Sequence, residues 1–358
     1  MFSLRHIVPI LLLGELVAAG FACPGLEWCG PSMVAVRKEW GELTAAERID
    51  YTSAVVCLHH KPAELPSAEY PGVKSRLDDF VATHINYTLR VHYDGLFLPW
   101  HRRYLWLWER ALREECGYRG HLPYWNWPLW ADNLAASPLF DGSETSLSGD
   151  GVYDPNEQPL TNGNLTIPRG TGGGCVRGGP FKNIKLHLGP FSRTLTSFTE
   201  IPSPGFAYNP RCFSRSLNDW VASRYTNRTI VETLLASRDI NEFLTVVDHW
   251  PPRMDGVFGV HGGGHFSLGG TMQDLFASPQ DPAFFLHHGM VDRMWDIWQD
   301  RDEETRRYAL NGTGVILNPP SAPLVTLDTV MEFGILDRPR TVREVMSPVE
   351  GGLCYTYT

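Results

Sequence analysis

The sequence predicts a mainly α-helical domain interrupted by long loops, and three observations carry that reading. The run WHRRYLWLWERALREEC, Trp100–Cys116, contains no Gly or Pro and sets His101, Leu105, Trp108 and Leu112 on one helical face. Helical character returns from Asp281 to Asp300, where Asp281 is a natural N-cap and Pro282 suits the first helical position. Between them, from Ser137 to Pro210, the chain fills with Gly, Pro, Ser and Asn, including GTGGGCVRGG at Gly170–Gly179, a composition that makes loops.

Taken in order, residues 1–22 read as a secretory signal. Arg5 and His6 form a weak positive start, Ile7–Leu13 an apolar stretch, and Ala18–Ala22 a small-residue cleavage region, with Pro9 and Glu15 interrupting. Residues 31–60 are expected to be helical, with Met33, Val36, Trp40, Ile49, Val55 and Leu58 at helix-like intervals and a Thr44/Glu47 capping box. His92 falls in a turn containing Asp94 and Gly95. The loop-rich centre needs staples, which Cys175 and Cys212 can supply, and it is no phosphate loop because no GK[ST] follows its glycines. Helical patterns then occupy Ser216–Leu244 and His261–His265; beyond Asn311 a few short strands and an extended tail are expected. The run RDEETRR at Arg301–Arg307 reads as a solvated helix end.

At 358 residues, with 43% hydrophobic and 20% charged residues, the chain can bury a large core as one generous domain or two ordinary ones. A net charge of −9 without a Lys/Arg block argues against nucleic-acid or anionic-membrane partners and fits small neutral substrates. A spanning helix needs about 20 apolar residues, which no segment offers. Seven cysteines without a CxxC pair favour disulfides in a secreted chain, with an odd one left over and a connectivity that spacing does not reveal. Sequons at Asn86, Asn164, Asn227 and Asn311 agree with a secretory route.

Six of the thirteen histidines fall into two groups of three. His261-Gly-Gly-Gly-His265 sets two imidazoles one helical turn apart, and His287-His288 follows. Adjacent helical positions point about 100° apart, so one of that pair faces a shared metal. The other group is His84, His92 and His101. A lone histidine in an apolar segment is ordinarily a hydrogen-bonded core residue, but two triplets point to metal. All-imidazole sets suit copper, zinc, nickel or iron; calcium and magnesium want oxygen, and a di-iron bundle wants the Glu-x-x-His pairs this chain lacks. His261-Gly-Gly-Gly-His265 also lacks the glutamate of the zinc-protease motif. Copper is the best candidate on chemistry, although imidazole alone does not exclude zinc.

The stretches FLPWHRRYL after His92, His261-GGG-His265, GGTM at Gly269–Met272 and DPAFFLHHGMVDRMWDIW at Asp281–Trp298 closely resemble the two copper signatures of the tyrosinase, catechol oxidase and haemocyanin superfamily. VRKEW at Val36–Trp40 and the ending Tyr355-Thr-Tyr357 resemble the edges of fungal tyrosinase catalytic domains. The resemblance spans most of residues 30–300. It implies one catalytic domain over residues 23–358 in the short form without a C-terminal shielding domain, built as a four-helix bundle around a dicopper centre. His84, His92 and His101 would hold one copper and His261, His265 and His288 the other, with His287 the adjacent non-ligand and dioxygen the co-substrate.

Departures from the family pattern shape the functional expectation. Arg90 stands where some relatives carry a cysteine cross-linked to the second histidine, so no thioether forms. Gly262 and Pro252 occupy positions where strong monophenolases often carry an asparagine and a glutamate that help deprotonate phenol. The expected activity is therefore oxidation of o-diphenols or o-aminophenols to quinones, with weaker monophenol hydroxylation; the alternatives are a full tyrosinase or a haemocyanin-like oxygen binder. Asp255 or His287 could supply a base, and Leu275 stands at a gate position above the second copper. Phe97 and Phe284 precede ligands by four residues and would cover them, as pocket walls or as ordinary core. Met272 resembles a methionine beside the second copper, although a buried Met is usually a gap-filler. Asp292, four residues after His288, could orient that ring, the duller option being a solvent-facing salt bridge.

Overall fold

The computed structural model describes residues 29–30, 34–162, 164–192, 200–249 and 257–358. The proposed signal segment, Cys23, Pro252 and Asp255 lie outside the described residues.

Helix α1 (Ala45–His60) starts at the expected capping box, where Thr44 accepts from the Glu47 N–H and the Glu47 carboxylate accepts from Thr44 N at 2.7 Å. The helix expected from residue 31 begins later than that, because Ala35–Arg37 is a strand and Trp40–Glu42 a single 3-10 turn. The strand's parallel partner is Tyr355–Tyr357 at the far end of the sequence, and tertiary pairing overrides the local periodicity. A Cys29–Cys354 disulfide fastens the same two segments.

Helix α2 (Arg76–Tyr87) is capped reciprocally by Ser75 and Asp78. Helix α3 (Phe97–Cys116) ends where Gly117 takes a left-handed φ of 71°, and Cys57–Cys116 ties it to α1. The Ser216–Leu244 helical region divides into α4 (Asp219–Tyr225), α5 (Arg228–Leu235) and α6 (Ile240–Asp248). The breaks fall at Asn227 and Asp239, whose side chains cap the next helix. Helix α7 (Val260–Leu268) holds His261 and His265. Helix α8 (Ala283–Asp300) opens one residue later than expected. Asp281 still accepts from the Ala283 N–H at 2.9 Å, while its carboxylate also grips Arg215.

The Gly/Pro-rich centre is stapled, as expected, by Cys175–Cys212. Short antiparallel ladders run through it, pairing Gly151–Tyr153 with Gly173–Val176 and Lys185–Leu186 with Arg211–Cys212. Arg215 is its hub: fully buried, it pairs with Asp281 and donates to the carbonyls of Leu147 and Ser148. The tail forms a two-residue ladder, Val330–Met331 with Arg340–Thr341, before folding back onto the first strand. In RDEETRR, helix α9 (Glu303–Arg306) is one exposed turn, but Arg307 is buried and paired with Asp296, Asp300 and Glu303, so that end is not wholly solvated.

Helix α3 is the axis of the core, packing against α1 on one side and α8 on the other. Trp108 of α3 stacks on Phe285 of α8 with ring centroids 3.7 Å apart. Each fully buried aromatic of this kind contributes roughly 2–3 kcal/mol by area. Four elements thereby converge with their histidines inward: α2, α3, α7 and α8. Among the described residues no helix is long and apolar enough to cross a membrane.

Candidate metal centre

His84 comes from α2, His92 from the turn before α3, and His101 from the first turns of α3. The potential ligand atoms of these three lie within 4.8 Å of one another, as do those of the group His261, His265, His287 and His288. The two groups abut, with the rings of His101 and His288 stacked at 4.4 Å.

Hydrogen bonds decide which nitrogen each ring offers. Nδ1 of His84 meets the Phe276 carbonyl at 2.7 Å, that of His92 the Thr88 carbonyl at 2.9 Å, and that of His101 the Phe97 carbonyl at 2.8 Å. His265 Nδ1 meets the Met272 carbonyl at 2.8 Å, and His261 Nδ1 the Asp248 carboxylate at 2.7 Å. A carbonyl accepts and cannot donate, so on His84, His92, His101 and His265 Nδ1 carries the proton and Nε2 keeps its lone pair. Nε2 of His84 and of His101 is buried without a hydrogen-bond partner. Nε2 of His265 approaches Nε2 of His261 at 3.1 Å and Nε2 of His288 at 3.2 Å. Two imidazole nitrogens bound to one ion at about 2.0 Å with a bond angle near 100° sit about 3.1 Å apart. Orphaned lone pairs and these separations fit two metal ions held by three imidazoles each.

Burial also keeps the rings neutral, as ligation requires. It pulls His92 down to about 4 and His261 down to about 3, and drives His84, His101, His265 and His288 well below the usual imidazole range. Burial pushes the Asp248 carboxyl up to about 7.

The three glycines between His261 and His265 are explained by what surrounds α7. A Cβ at Gly264 would come 2.1 Å from the His287 ring, one at Gly263 2.4 Å from Tyr225 Cβ, and one at Gly262 3.2 Å from the Phe258 ring. The helix therefore sits closer to α4 and α8 than any side chain at 263 or 264 would permit. Gly262 offers no functional group, and the space its Cβ would point into is bounded by Phe258.

Phe97 and Phe284 wall the cluster and are both buried. The Phe97 ring lies 4.8 Å from His101 and 4.5 Å from His261, and the Phe284 ring lies 4.1 Å from His288 and 5.2 Å from His84. Met272 contributes its carbonyl, to His265, while its side chain fills the core. Leu275 is half-buried beside Phe276, its N–H bonded to the Ser192 carbonyl at 2.9 Å. His265 is the one member of the six that is partly rather than fully buried as a residue.

Two expected roles are corrected. His287 cannot serve as a base, because both ring nitrogens are engaged: Trp127 donates to Nδ1 at 3.0 Å and Nε2 meets the His261 carbonyl at 3.0 Å. Asp292 neither orients His288 nor faces solvent. It is buried and accepts from Arg102 at 2.6 Å, Tyr355 at 2.5 Å and Tyr357 at 2.6 Å. Burial works to raise its carboxyl, but Arg102 and Arg37 hold it below the usual range. Arg37 completes this network by pairing with Glu109 at 2.8 Å and covering the Tyr355 ring at 3.5 Å. Sequence reasoning missed Asp248 and Trp127, since neither stands at a motif spacing from the histidine it serves.

Residues 74–301 match the family model described as the common central domain of tyrosinase. The chain is 53% identical to tyrosinase P of Aspergillus terreus over 98% of both chains. It is 46% identical to N-acetyl-6-hydroxytryptophan oxidase ivoB of Emericella nidulans over 96% of this chain and 97% of that one. A solved structure of a substituted polyphenol oxidase from Thermothelomyces thermophila superposes with a TM-score of 0.84 at 41% identity, covering 92% of this chain and 90% of that one.

Proposed function

The chain belongs to the tyrosinase family of oxidoreductases, and from that premise we propose that it is a dicopper oxidase of o-diphenols and o-aminophenols. The observation that carries the copper assignment is the pair of converging histidine triplets, with Nε2 left unprotonated on the four rings whose Nδ1 donates to a main-chain carbonyl. A copper pair there supplies two-electron exchange with dioxygen. The stoichiometry is two catechols and one dioxygen to two o-quinones and two waters.

The chain's own residues do the rest. Main-chain carbonyls and Asp248 fix the ring orientations, Phe97 and Phe284 exclude water from between the triplets, and the partly exposed His265 marks the side from which a flat ring can approach. The preference for substrates already bearing two heteroatoms is supported by the missing functional group at Gly262 and by the engaged nitrogens of His287. Neither can take a phenolic proton, so oxidation without hydroxylation is the easier reaction. That one relative is named as an oxidase of a hydroxytryptophan agrees with a hydroxylated aromatic substrate.

We further propose passage through an oxidising secretory route, supported by three disulfides among the described residues and by the exposed sequon asparagine at 164. The test is to load the purified chain with copper and record oxygen uptake on catechol, 2-aminophenol and tyramine side by side. Two coppers per chain with turnover of catechol or 2-aminophenol, and a long lag on tyramine, is expected. Equal initial rates on tyramine would make it a full tyrosinase, and bound copper without turnover of any of the three would overturn the oxidase reading.

A further inference from the structure

Trp127 opens a short 3-10 turn, Trp127–Leu129, and is fully buried. An indole N–H donates and cannot accept, so Nδ1 of His287, 3.0 Å away, must be the acceptor. The single proton of the neutral ring therefore resides on Nε2, which donates it to the His261 carbonyl at 3.0 Å. Both nitrogens are spent, and no lone pair is left for a metal. The ring lies parallel to that of His261, 5.7 Å away with 4° between the planes. It also presses on α7 where Gly264 leaves room for it.

We propose that Trp127 and His287 form a positioning relay that sets the height and rotation of α7. On the dicopper reading, this relay determines where His261 and His265 aim their Nε2 atoms. Trp127 acts through His287, and His287 acts through the His261 main chain; neither touches the metal. The indole chooses the tautomer, the tautomer chooses the donor, and the donor holds the helix that carries two of the three ligands.

The relay predicts an ordering of variants that a ligand role would not produce. Trp127→Phe keeps the ring and removes the donor. His287→Leu removes both bonds, and His287→Gln keeps an acceptor and a donor on one amide. Copper per chain and competition with a graded chelator would be measured for each, with thermal melting of the metal-free chains as a check on folding. Expected is a second equivalent held roughly 10–100-fold more weakly in Trp127→Phe and His287→Leu, an unchanged first equivalent, and near-wild-type retention in His287→Gln. If His287→Leu does not fold, the other two still decide. Trp127→Phe binding both coppers as the wild type does, or His287→Gln losing as much metal as His261→Ala, would overturn the relay alone. A wild-type chain that takes up no copper would overturn the dicopper reading and the relay with it.

Discussion

In the first triplet every Nδ1 is held by a main-chain carbonyl, of Phe276, Thr88 and Phe97. In the second, His261 leans on the Asp248 carboxylate, His265 on the Met272 carbonyl, and His288 Nδ1 has no hydrogen-bond partner. Two of those acceptors, Thr88 and Phe97, lie four residues before the histidine they serve, the third, Phe276, comes from the segment between α7 and α8, and no single side-chain change removes any of them. The second depends on a carboxylate, on three glycines that let α7 approach its neighbours, and on a ring wedged between α7 and α8. It also contains the partly exposed histidine, His265. The second triplet is therefore the half of the centre that side-chain substitution can tune.

The largest expected break in that asymmetry is Gly264→Ala. The new Cβ would come 2.1 Å from a fully buried His287 ring that hydrogen bonds hold on both sides, so α7 itself must shift. Overpacking of this kind costs about 1–3 kcal/mol, and a rigid neighbour places it at the upper end. A drop of roughly 5 °C or more in the melting temperature of the metal-free chain is expected. The second copper equivalent should be lost while the first stays. Equal loss of both coppers would show that the triplets are not separable.

Next comes Asp248→Asn, which keeps the shape and replaces the carboxyl beside His261 with a weaker, neutral amide acceptor. Affinity for the second copper should fall roughly 10–100-fold. Isothermal titration of the metal-free protein would show the two equivalents diverging, and a uniform change in both would contradict the assignment of Asp248 to one half.

How much of this was written locally explains what the sequence could reveal. Helix faces, the Thr44 cap and the six histidines obey short-range spacing, and the order of the motifs carried the resemblance. The choice between His287 and His288 did not follow from spacing, which says that one of two neighbours faces the metal; Trp127 supplies the physical reason for His288. Ala35–Arg37 was misread as helix because its partner is the last strand of the chain. Asp292 sits on the predicted face of α8, one turn after His288, but Arg102 across the helix interface and the tyrosines of the last strand capture it. Partners supplied by a distant segment leave no periodic trace.

That Arg102–Asp292 pair joins α3 to α8, and Glu109–Arg37 joins α3 to the first strand, so acid should loosen both triplets together. Burial works to raise Glu109, yet Arg37 and His121 bring it from 4.5 down to about 2. A carboxyl depressed on folding adds stability that is complete above its unfolded value and is lost as pH falls through the folded one. Stability should therefore decline between pH 4.5 and about 2, and Glu109→Gln should start lower and decline less steeply across the same window. Denaturant midpoints measured across that range would check it; parallel curves for the two proteins would remove Glu109 from the account.

The smallest effect tests whether the second triplet is tunable everywhere or at particular atoms. Met272 lies in GGTM, a stretch that the family resemblance marks, and its side chain is fully buried. Its contact with the site, however, is a main-chain carbonyl on His265 Nδ1 at 2.8 Å. Met272→Leu conserves volume and leaves that carbonyl in place, so it should cost less than about 1.5 kcal/mol of stability. Copper affinity at the second site should not change, and the ratio of catechol to 2-aminophenol turnover should hold. A shift in that ratio with intact copper binding would mean that the thioether itself reaches the substrate. The boundary between fixed and tunable parts would then run through residue 272 rather than between Asp248 and the main-chain acceptors.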